Sequence, residues 1–148
     1  MEFNKYNFSK IYAVYCPSSD DELIYVGSTT KQYLCSRLAE HRSNFKRFLA
    51  GGVVGKSTCF EIFNKYGVEN CKIKLLEHVN CNSHDELAER EVFHIRNNNC
   101  VNKQIPKRTR KEYYQDNKEM LISYQRRYNI RKRILNQLAF ELVLMSVN

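Results

Sequence analysis

Two short apolar runs near the start of the chain, joined by turn-forming residues, constrain its fold more than any other feature. The runs Ile11–Cys16 and Leu23–Gly27 are rich in β-branched and aromatic residues, which favour strands. The six residues between them, 17–22, read PSSDDE and favour a turn. This pattern predicts a β-hairpin in a chain of 148 residues, a length typical of one folded core.

The register of this hairpin decides which side chains share a face. If Cys16 pairs with Leu23, then Tyr12 lies opposite Gly27, and Tyr12 and Tyr25 lie diagonally on one face, about 7 to 8 Å apart. A slip of one residue would put the two tyrosines on opposite faces. Gly27 has no side chain and therefore leaves room for a ligand or another backbone to approach. Each tyrosine, taken alone, is also a residue type that packs half-buried in a sheet.

Three helices and one more strand are expected before residue 103, and each helix begins at a residue that can cap it. The helices run from Thr29 or Thr30 to Gly51, from Thr58 to Gly67 and from Ser83 to about Arg96. Glu61 and Glu86 each lie three residues after a cap and predict capping boxes. Residues 72–76 alternate in polarity and predict the third strand. The order β-β-α-α-β-α predicts an α+β fold, with a small three-stranded, mainly antiparallel sheet flanked by helices.

The positive charge of the chain is concentrated in its last third. Residues 1–102 carry 13 Lys or Arg and 12 Asp or Glu, a net charge of +1, whereas residues 103–148 carry 11 and 4, a net charge of +7. Three asparagines at 97–99, followed by Pro106, mark the change. We therefore expect a core domain, 1–102, and a basic helical extension, 103–148.

The extension has a weak internal repeat of 14 residues, in which Tyr114 and Leu121 recur as Tyr128 and Leu135. Because 14 residues make nearly four turns of a helix, the two copies should lie on one helix face. The tyrosines and basic side chains suit base stacking and phosphate contacts. Alternatively, the tyrosines pack on the core and the charges are solvated. The apolar end, 135–148, needs burial against the core or against a second chain.

Glu91 lies where the apolar stripe of the third predicted helix requires a leucine, four residues from Leu87 and from Ile95. Burial of a bare carboxylate costs several kcal/mol, so this group should be protonated, paired with a cation or bound to a metal ion. The pattern also fits a glutamate at the edge of the stripe that reaches solvent.

Arg37 and His41 are four residues apart on the first predicted helix and therefore project side by side. This pairing does not stabilise a helix, but both side chains suit phosphate. Arginine offers a fork of N–H donors, and histidine changes its protonation near neutral pH. The pair also fits a solvated helix face.

The cysteine and histidine pattern gives weak support for a structural metal site. The six cysteines contain no C-x-x-C pair and are predicted to be free thiols. His78, Cys81 and His84, with Cys100, have a spacing that permits zinc. The second close pair of ligands that structural zinc sites normally have is missing.

Taken in order, these residues resemble the GIY-YIG nuclease family over about residues 8–106. Lys10-Ile11-Tyr12 and Tyr25-Val26-Gly27 correspond to the two tripeptides that name the family. Arg37-x3-His41, NKYG with KIKLLE, LAEREVFHI and Cys100-Val101-Asn102 follow in the family's order. Lys10 replaces the first glycine and Val26 replaces an isoleucine. The resemblance implies that Lys10 is tolerated, because the family varies at this position and the tyrosine of the first tripeptide carries the chemistry. Val26 keeps the shape of the isoleucine that it replaces.

The resemblance implies a divalent-metal-dependent endonuclease that hydrolyses DNA phosphodiester bonds with Mg²⁺, for which Mn²⁺ substitutes. Glu91 would bind the ion, and since only this carboxylate faces the core, one metal ion is expected. Tyr12 would be the general base for the attacking water, with His41 accepting or holding its proton and Arg37 favouring the phenolate. Tyr25 would orient the water or the phosphate.

Four further residues are expected to support this site. Lys31 would add a phosphate contact, Asn102 would brace the site from the loop after the third helix, and Ser57 would contribute backbone amides that bind an anion. Gly27 is the fourth supporting residue, because it leaves room for a ligand or another backbone to approach. In the extension, nine basic residues are expected to contact DNA: Lys107, Arg108, Arg110, Lys111, Arg126, Arg127, Arg131, Lys132 and Arg133.

The expected partner is duplex or branched DNA, and a homodimer through the carboxyl-terminal segment would supply a second active centre for the other strand. Two other functions fit the sequence: a non-catalytic nucleic-acid-binding protein that uses the same basic helix, and an interaction module stabilised by zinc at His78, Cys81 and His84. The sequence has neither an apolar run of about 18 residues nor an apolar leader. We therefore expect an intracellular protein, cytoplasmic or nuclear, without a membrane partner.

Overall fold

The structure is a computed structural model that describes residues 4–55 and 57–146. The chain divides into two units, Met1–Lys107 and Arg108–Asn148. The first unit follows the predicted order of strands and helices. Its elements are a 3₁₀ turn Lys5–Phe8, β1 Lys10–Tyr15, β2 Ile24–Thr29, α1 Leu34–Leu49, α2 Cys59–Tyr66, β3 Lys72–His78 and α3 His84–Asn97. The predicted α+β fold is confirmed.

The three strands form one antiparallel sheet with β1 in the middle, in the order β2-β1-β3. Tyr12 lies opposite Gly27, and Val14 lies opposite Tyr25, which confirms the predicted register of the hairpin. On its other side β1 pairs with β3, with an irregularity in register between Ile11 and Tyr12. Tyr12 therefore sits on the strand whose backbone is paired on both sides.

Alternate residues of β1 face opposite sides of the sheet, because successive side chains of a strand point in opposite directions. Tyr12 belongs to a buried cluster with Phe45 of α1 and Phe63 of α2. Ile11 belongs to a second cluster with Leu87 of α3. Burial of each such apolar side chain stabilises the fold by roughly 1.5 to 3 kcal/mol. The sheet is thus held between α1 and α2 on one face and α3 on the other.

The start of α1 differs from the prediction. Thr29 is the last residue of β2 and Thr30 lies in the following loop, so neither caps the helix. The helix begins at Leu34, after Tyr33, with no capping side chain. The Thr29 hydroxyl instead accepts a hydrogen bond from the Lys31 N–H at 3.1 Å. Because β2 extends past its predicted end, the threonines are used by the strand and its loop.

The capping box predicted at Thr58 does not form, and the one predicted at Ser83 forms only in part. Thr58 has helical backbone angles, φ −65° and ψ −18°, and its side chain makes no cap hydrogen bond. The Ser83 hydroxyl accepts from the Glu86 N–H at 3.2 Å, but the Glu86 carboxylate accepts from the Asn82 N–H at 3.1 Å. Gly67 ends α2 with a φ of +84°, as predicted.

The chain after α3 returns along the outer edge of β2. The Ile24 N–H donates to the Asn99 carbonyl at 3.0 Å, and the Val101 N–H donates to the Ile24 carbonyl at 2.9 Å. The Asn102 side chain continues this pairing, since its amide accepts from the Val26 N–H and donates to the Val26 carbonyl, both at 2.8 Å. A side-chain amide therefore takes the place of a neighbouring strand.

Contacts beyond residue 102 place the end of the first unit later than predicted. Ile105 packs against the cluster on the α3 side of the sheet. Lys107 forms ion pairs with Asp85 and Glu89 of α3. The boundary therefore lies after Lys107 rather than after residue 102.

The second unit contains two helices, α4 Arg110–Asp116 and α5 Lys118–Ser146, which confirms the predicted helical extension. Thr109 and Glu112 form a capping box at the start of α4. Asn117 leaves the helical conformation, with φ −116° and ψ 14°, so the first copy of the repeat is divided between two helices. The prediction that both copies share one helix face is therefore wrong. Within the described residues, no helix is both long and apolar enough to cross a membrane.

Candidate active site

The hydroxyl of Tyr12 is the centre of a buried, hydrogen-bonded cluster. The Tyr12 side chain is 0% exposed in the central strand. Its oxygen lies 2.8 Å from Nε2 of His41 and accepts a hydrogen bond from Nε of Arg37 at 3.0 Å. Arg37 and His41 lie about one turn apart on α1, so the helix presents both side chains to the same face of the sheet. The structure thus brings the tyrosine together with the pair that the sequence singled out.

The proton positions in this cluster follow from the groups present. The Arg37 Nε–H can only donate, so the Tyr12 oxygen accepts from it and the Tyr12 hydroxyl donates to Nε2 of His41. This arrangement requires a neutral imidazole, and burial together with the Arg37 charge lowers the pKa of His41 to about 4. Burial and Tyr25 raise the pKa of Tyr12 above its ordinary value, against the opposing effect of Arg37. At neutral pH both rings are uncharged.

Glu40, which the sequence analysis did not single out, fixes the position of Arg37. Nη1 of Arg37 donates to Oε2 of Glu40 at 2.5 Å, and Nζ of Lys31 lies 3.2 Å from the same oxygen. Burial lowers the pKa of Arg37, but Tyr12 and Glu40 more than offset this and hold it above its ordinary value. Lys31 is therefore tied to the cluster through Glu40. A carboxylate three residues from an arginine is common on solvated helices, so no sequence signal distinguishes Glu40.

Tyr25 borders the cluster on the β2 side. Its ring centroid lies 6.5 Å from that of Tyr12 and 5.5 Å from that of His41, edge-on to the imidazole. Burial raises the pKa of Tyr25 to about 12, and the nearby charge of Glu91 acts in the same direction. The Ser57 side chain lies near Tyr25 and opposes this rise in pKa. The Ser57 hydroxyl accepts a hydrogen bond from the Cys59 N–H at 3.3 Å, and its expected role in binding an anion stays a prediction.

Glu91 lies on α3 between the buried Leu87 and Ile95, and its own side chain is half-buried. The hydroxyl and the backbone of Ser28, on β2, lie near its carboxylate and favour the charged form. Burial raises the pKa of Glu91, while Ser28 and the nearby charge of Arg37 oppose this rise. The carboxylate is therefore close enough to the tyrosine cluster for the charges to interact.

A single carboxylate of this kind fits a hard divalent cation such as Mg²⁺. Mg²⁺ prefers oxygen ligands, keeps several of its waters and takes only one or two protein carboxylates. Among residues 4–55 and 57–146, no three His, Cys, Asp or Glu side chains are placed to hold a metal ion together. Glu91 is the half-buried carboxylate beside the tyrosine cluster that could hold such a cation.

The zinc interpretation gains no support from the described part of the chain. His78, Cys81 and His84 do not form a three-ligand group there. Cys81 is buried in the cluster with Leu87, and His84 is the first residue of α3. All six cysteines are free thiols, as predicted.

Gly27 lies opposite Tyr12, and its missing side chain makes room for the phenol. A Cβ at Gly27 would lie 2.6 Å from the Tyr12 oxygen and 2.8 Å from Cζ of the same ring. Tyr25 Cε1 would also be close, at 3.2 Å. The room that was expected here for a ligand or another backbone to approach is therefore filled by the Tyr12 ring.

Asn102 supports the site indirectly, through the backbone of β2. Its amide pairs with both backbone groups of Val26, which lies between Tyr25 and Gly27 on β2. It therefore fixes the strand that carries these two residues. Its place agrees with the bracing role that the resemblance implied, although it acts through backbone.

The nine basic residues expected to contact DNA differ in their surroundings. Lys107 is ion-paired with Glu89 in the first unit. Arg108 is ion-paired with Asp116 and lies over the Tyr113 ring, 4.7 Å from its centroid. The other seven are exposed on α4 and α5: Arg110, Lys111, Arg126, Arg127, Arg131, Lys132 and Arg133.

Comparison of the chain with protein-family models, with curated proteins and with solved structures finds no match in any of the three. What the chain does is therefore inferred from the geometry and chemistry of its own residues.

Gly27→Ala should displace the Tyr12 side chain, because the added Cβ has no room beside the phenol oxygen. We expect the free energy of unfolding to fall by about 1 to 3 kcal/mol, the usual cost of overpacking. Gly55→Ala is the matched control, since nothing lies within 4 Å of a Cβ there. It should change stability by less than about 0.5 kcal/mol. Urea unfolding measures both variants, and equal losses would contradict the tight contact.

The buried, neutral His41 should make the protein lose stability as the pH falls from 6.5 to about 4. In the unfolded chain the imidazole takes up a proton below its ordinary pKa of 6.5, whereas in the folded chain it stays neutral down to about 4. The stability from this group is thus fully present above pH 6.5 and is lost on acidification. A shift of this size corresponds to about 3 kcal/mol.

Urea unfolding at pH 7 and at pH 4.5 tests this dependence in the wild-type chain and in His41→Gln. Both proteins share the carboxylates that also titrate in this range, so the difference between them reports His41. The variant should lose about 2 to 3 kcal/mol less than the wild type over this interval. A loss of the same size in both proteins would rule out a buried neutral imidazole.

Proposed function

We propose that the chain is a divalent-metal-dependent endonuclease that hydrolyses DNA phosphodiester bonds. The observation that carries the proposal is the convergence of a guanidinium and an imidazole on the Tyr12 oxygen, with distances of 3.0 Å to Arg37 and 2.8 Å to His41. Glu91 is close enough for its charge to act on Tyr25 and to be acted on by Arg37. In this proposal Tyr12 is the base and His41 is the acceptor for its proton. Arg37 is the cation that binds phosphate, and Glu91 is the ligand for Mg²⁺.

The general base in this proposal is Tyr12. An ordinary phenol has a pKa near 10, and burial raises the pKa of Tyr12 further, so its proton stays on the oxygen unless positive charge is added. Glu91 would hold a divalent cation, whose charge would stabilise the leaving 3′ oxygen and lower the pKa of neighbouring acids. Nε2 of His41, at 2.8 Å, is the acceptor that takes the Tyr12 proton as the phenol oxygen accepts one from water.

Arg37 and Tyr25 position the other reactants. Nε of Arg37 holds the Tyr12 oxygen while Nη1 is held by Glu40, so the plane of the guanidinium is fixed. A guanidinium fixed in this way offers its remaining N–H donors to a phosphate at a defined angle. Tyr25, on the same face of the sheet, would orient the attacking water or the phosphate.

Affinity for DNA is assigned to the second unit. The first unit, residues 1–107, carries a net charge of +3 spread over 27 charged side chains, whereas the second unit, residues 108–148, carries +5 over 13, and a denser positive charge attracts a polyanion more strongly. Exposed arginines and lysines on a long helix release counterions when they bind phosphates, and tyrosines beside them stack on unpaired bases. Duplex or branched DNA is the proposed substrate.

A non-catalytic nucleic-acid-binding protein is the second candidate. The observation that favours it is the complete burial of Tyr12, since a base must be reached by the water that it deprotonates. This candidate uses the same exposed basic residues of α5 and requires no cation at Glu91. Cleavage in Mg²⁺ but not in EDTA separates the two functions.

Glu91→Gln should abolish cleavage without abolishing binding, because it removes the charge that holds the cation and keeps the shape of the side chain. We expect the rate of supercoiled-plasmid nicking in Mg²⁺ to fall about 10³-fold or more, which corresponds to about 4 kcal/mol of transition-state stabilisation. Affinity for the same DNA, measured by gel shift in EDTA, should change by less than about threefold.

Glu89→Gln is the matched control, because Glu89 lies on the same helix with an exposed side chain. It should cut at the wild-type rate. Undiminished cutting by Glu91→Gln in Mg²⁺ would remove Glu91 from the mechanism. A wild-type chain that binds DNA but never cuts it in Mg²⁺ or Mn²⁺ would contradict the nuclease proposal and support the non-catalytic function.

Removal of three positive charges from α5 should flatten the salt dependence of DNA binding. In the variant Arg126→Gln, Lys132→Gln, Arg133→Gln, the slope of log affinity against log salt concentration should fall by up to about 3, one for each phosphate that is no longer neutralised. The control removes three exposed charges from the first unit, through Lys46→Gln, Arg47→Gln and Lys72→Gln. Fluorescence anisotropy with a labelled duplex measures both slopes. Equal slopes for the two variants would show that only net charge matters and that α5 is not the contact surface.

A further inference from the structure

We propose that the chain forms an antiparallel dimer through one face of α5, with Leu135 and Leu138 at its centre. Residues on this face, here called the seam, are spaced alternately four and three apart along the helix. They are Tyr124, Tyr128, Arg131, Leu135, Leu138 and Leu142. This spacing is the heptad pattern by which helices pack in coiled coils.

The carboxyl-terminal part of the seam is apolar and exposed. Leu135, Leu138 and Leu142 are exposed by 56%, 50% and 67%. Helices in proteins gain most of their stability from packing of an apolar face, and a row of exposed leucines on a helix of 29 residues lacks this contribution. The seam therefore requires a partner that offers an apolar row of its own.

The distribution of charge along α5 selects the orientation of a second copy. Five basic residues lie within 126–133, whereas Glu141 is the one charged residue of 134–146. In a parallel pair the two basic segments would lie side by side, about 10 Å apart. In an antiparallel pair centred between Leu135 and Leu138, they would be about 20 Å apart along the axis. That separation exceeds the screening length of about 8 Å at physiological salt, so the repulsion is largely removed.

The antiparallel register also makes the seam complementary to itself, as a two-fold dimer requires. Leu135 of each copy faces Leu138 of the other, so four leucines form the centre. In the same register Arg131 faces Leu142 of the other copy, where its aliphatic stem covers the leucine and its guanidinium reaches solvent. A nucleic acid offers no apolar row, whereas α5 of a second copy offers a matching one, and this favours a second copy of the chain as the occupant.

The consequence for cleavage rests on the proposed nuclease function. One active centre of the proposed kind cuts one strand, and a dimer carries two, so a break in both strands of a duplex becomes possible within one complex. The test of the dimer itself does not use cleavage. Its failure is therefore distinct from failure of the proposed function.

Sedimentation equilibrium of the full chain in about 0.15 M salt tests the association. At micromolar concentration the wild-type chain should have twice its mass of 17.6 kDa. Leu138→Asp should raise the dissociation constant of the dimer about 100-fold or more, because two buried positions per dimer become charged. Phe140→Asp makes the same charge change at a side chain that is 65% exposed but lies off the seam. It should leave the dissociation constant within about threefold.

Three outcomes would overturn the seam as the interface. The wild-type chain could remain monomeric up to about 100 μM. Leu138→Asp could still dimerise like the wild type. The two substitutions could also weaken association equally, which would indicate non-specific contact. Circular dichroism of both variants checks that α5 remains helical.

A distance measurement on an otherwise intact seam tests the orientation without any seam substitution. A spin label is attached at Ser123→Cys, outside the seam, in a chain where Cys35→Ser removes the exposed thiol. Double electron–electron resonance should give about 40 Å between the labels of an antiparallel pair. A distance below about 20 Å would indicate a parallel pair and contradict the proposal, as would the absence of any dipolar coupling.

Discussion

The hydrogen bond between Tyr12 and His41, supported by Arg37, is the interaction on which the rest of the site depends. Tyr12 stands on the central strand with no exposed surface, so its hydroxyl has no solvent to satisfy it. An unpaired buried hydroxyl costs about 1 to 3 kcal/mol. The two partners on α1, at 2.8 and 3.0 Å, offset this cost and at the same time fix the phenol. The packing that holds α1 on the sheet therefore also aligns the side chains of Tyr12, Arg37 and His41.

The site uses both faces of the sheet. Tyr12 and Tyr25 share the face covered by α1 and α2, whereas Glu91 comes from α3, which packs on the opposite face. The two groups approach each other at the end of β2, where Ser28 is on the face opposite to Tyr25 and lies near Glu91. Gly27, between them, has no side chain, and the Tyr12 ring fills the space beside it. A tyrosine, a glycine and a serine on one short strand therefore allow groups from opposite layers to approach each other.

Much of this arrangement could be predicted from sequence, because it follows from the spacing of apolar residues along the strands and helices. The hairpin register followed from one turn length and placed both tyrosines correctly, and Glu91 was visible as a polar residue in an apolar stripe. What could not be predicted depends on rotamers and on where elements end. Glu40 looks like any surface carboxylate until Arg37 is seen to use it. Which group fills the space at Gly27 is known only when the direction of the Tyr12 ring is known. The start of α1 could not be predicted because Ser28 and Thr29 extend β2 beyond its expected end.

The side-chain amide of Asn102, which occupies the outer edge of β2, has a consequence for how the sheet meets other molecules of its kind. Unpaired strand edges are templates on which foreign strands add, the first step of aggregation. With β2 covered, β3 forms the opposite edge of the sheet, and Lys72 and Lys74 stand exposed along it. Lysines on an edge strand oppose such growth, since the addition of a like strand would bring their charges together. The two edges of the sheet are therefore protected by different means. At β2 a side-chain amide pairs with the strand as a peptide group would, and at β3 like charges repel an added strand.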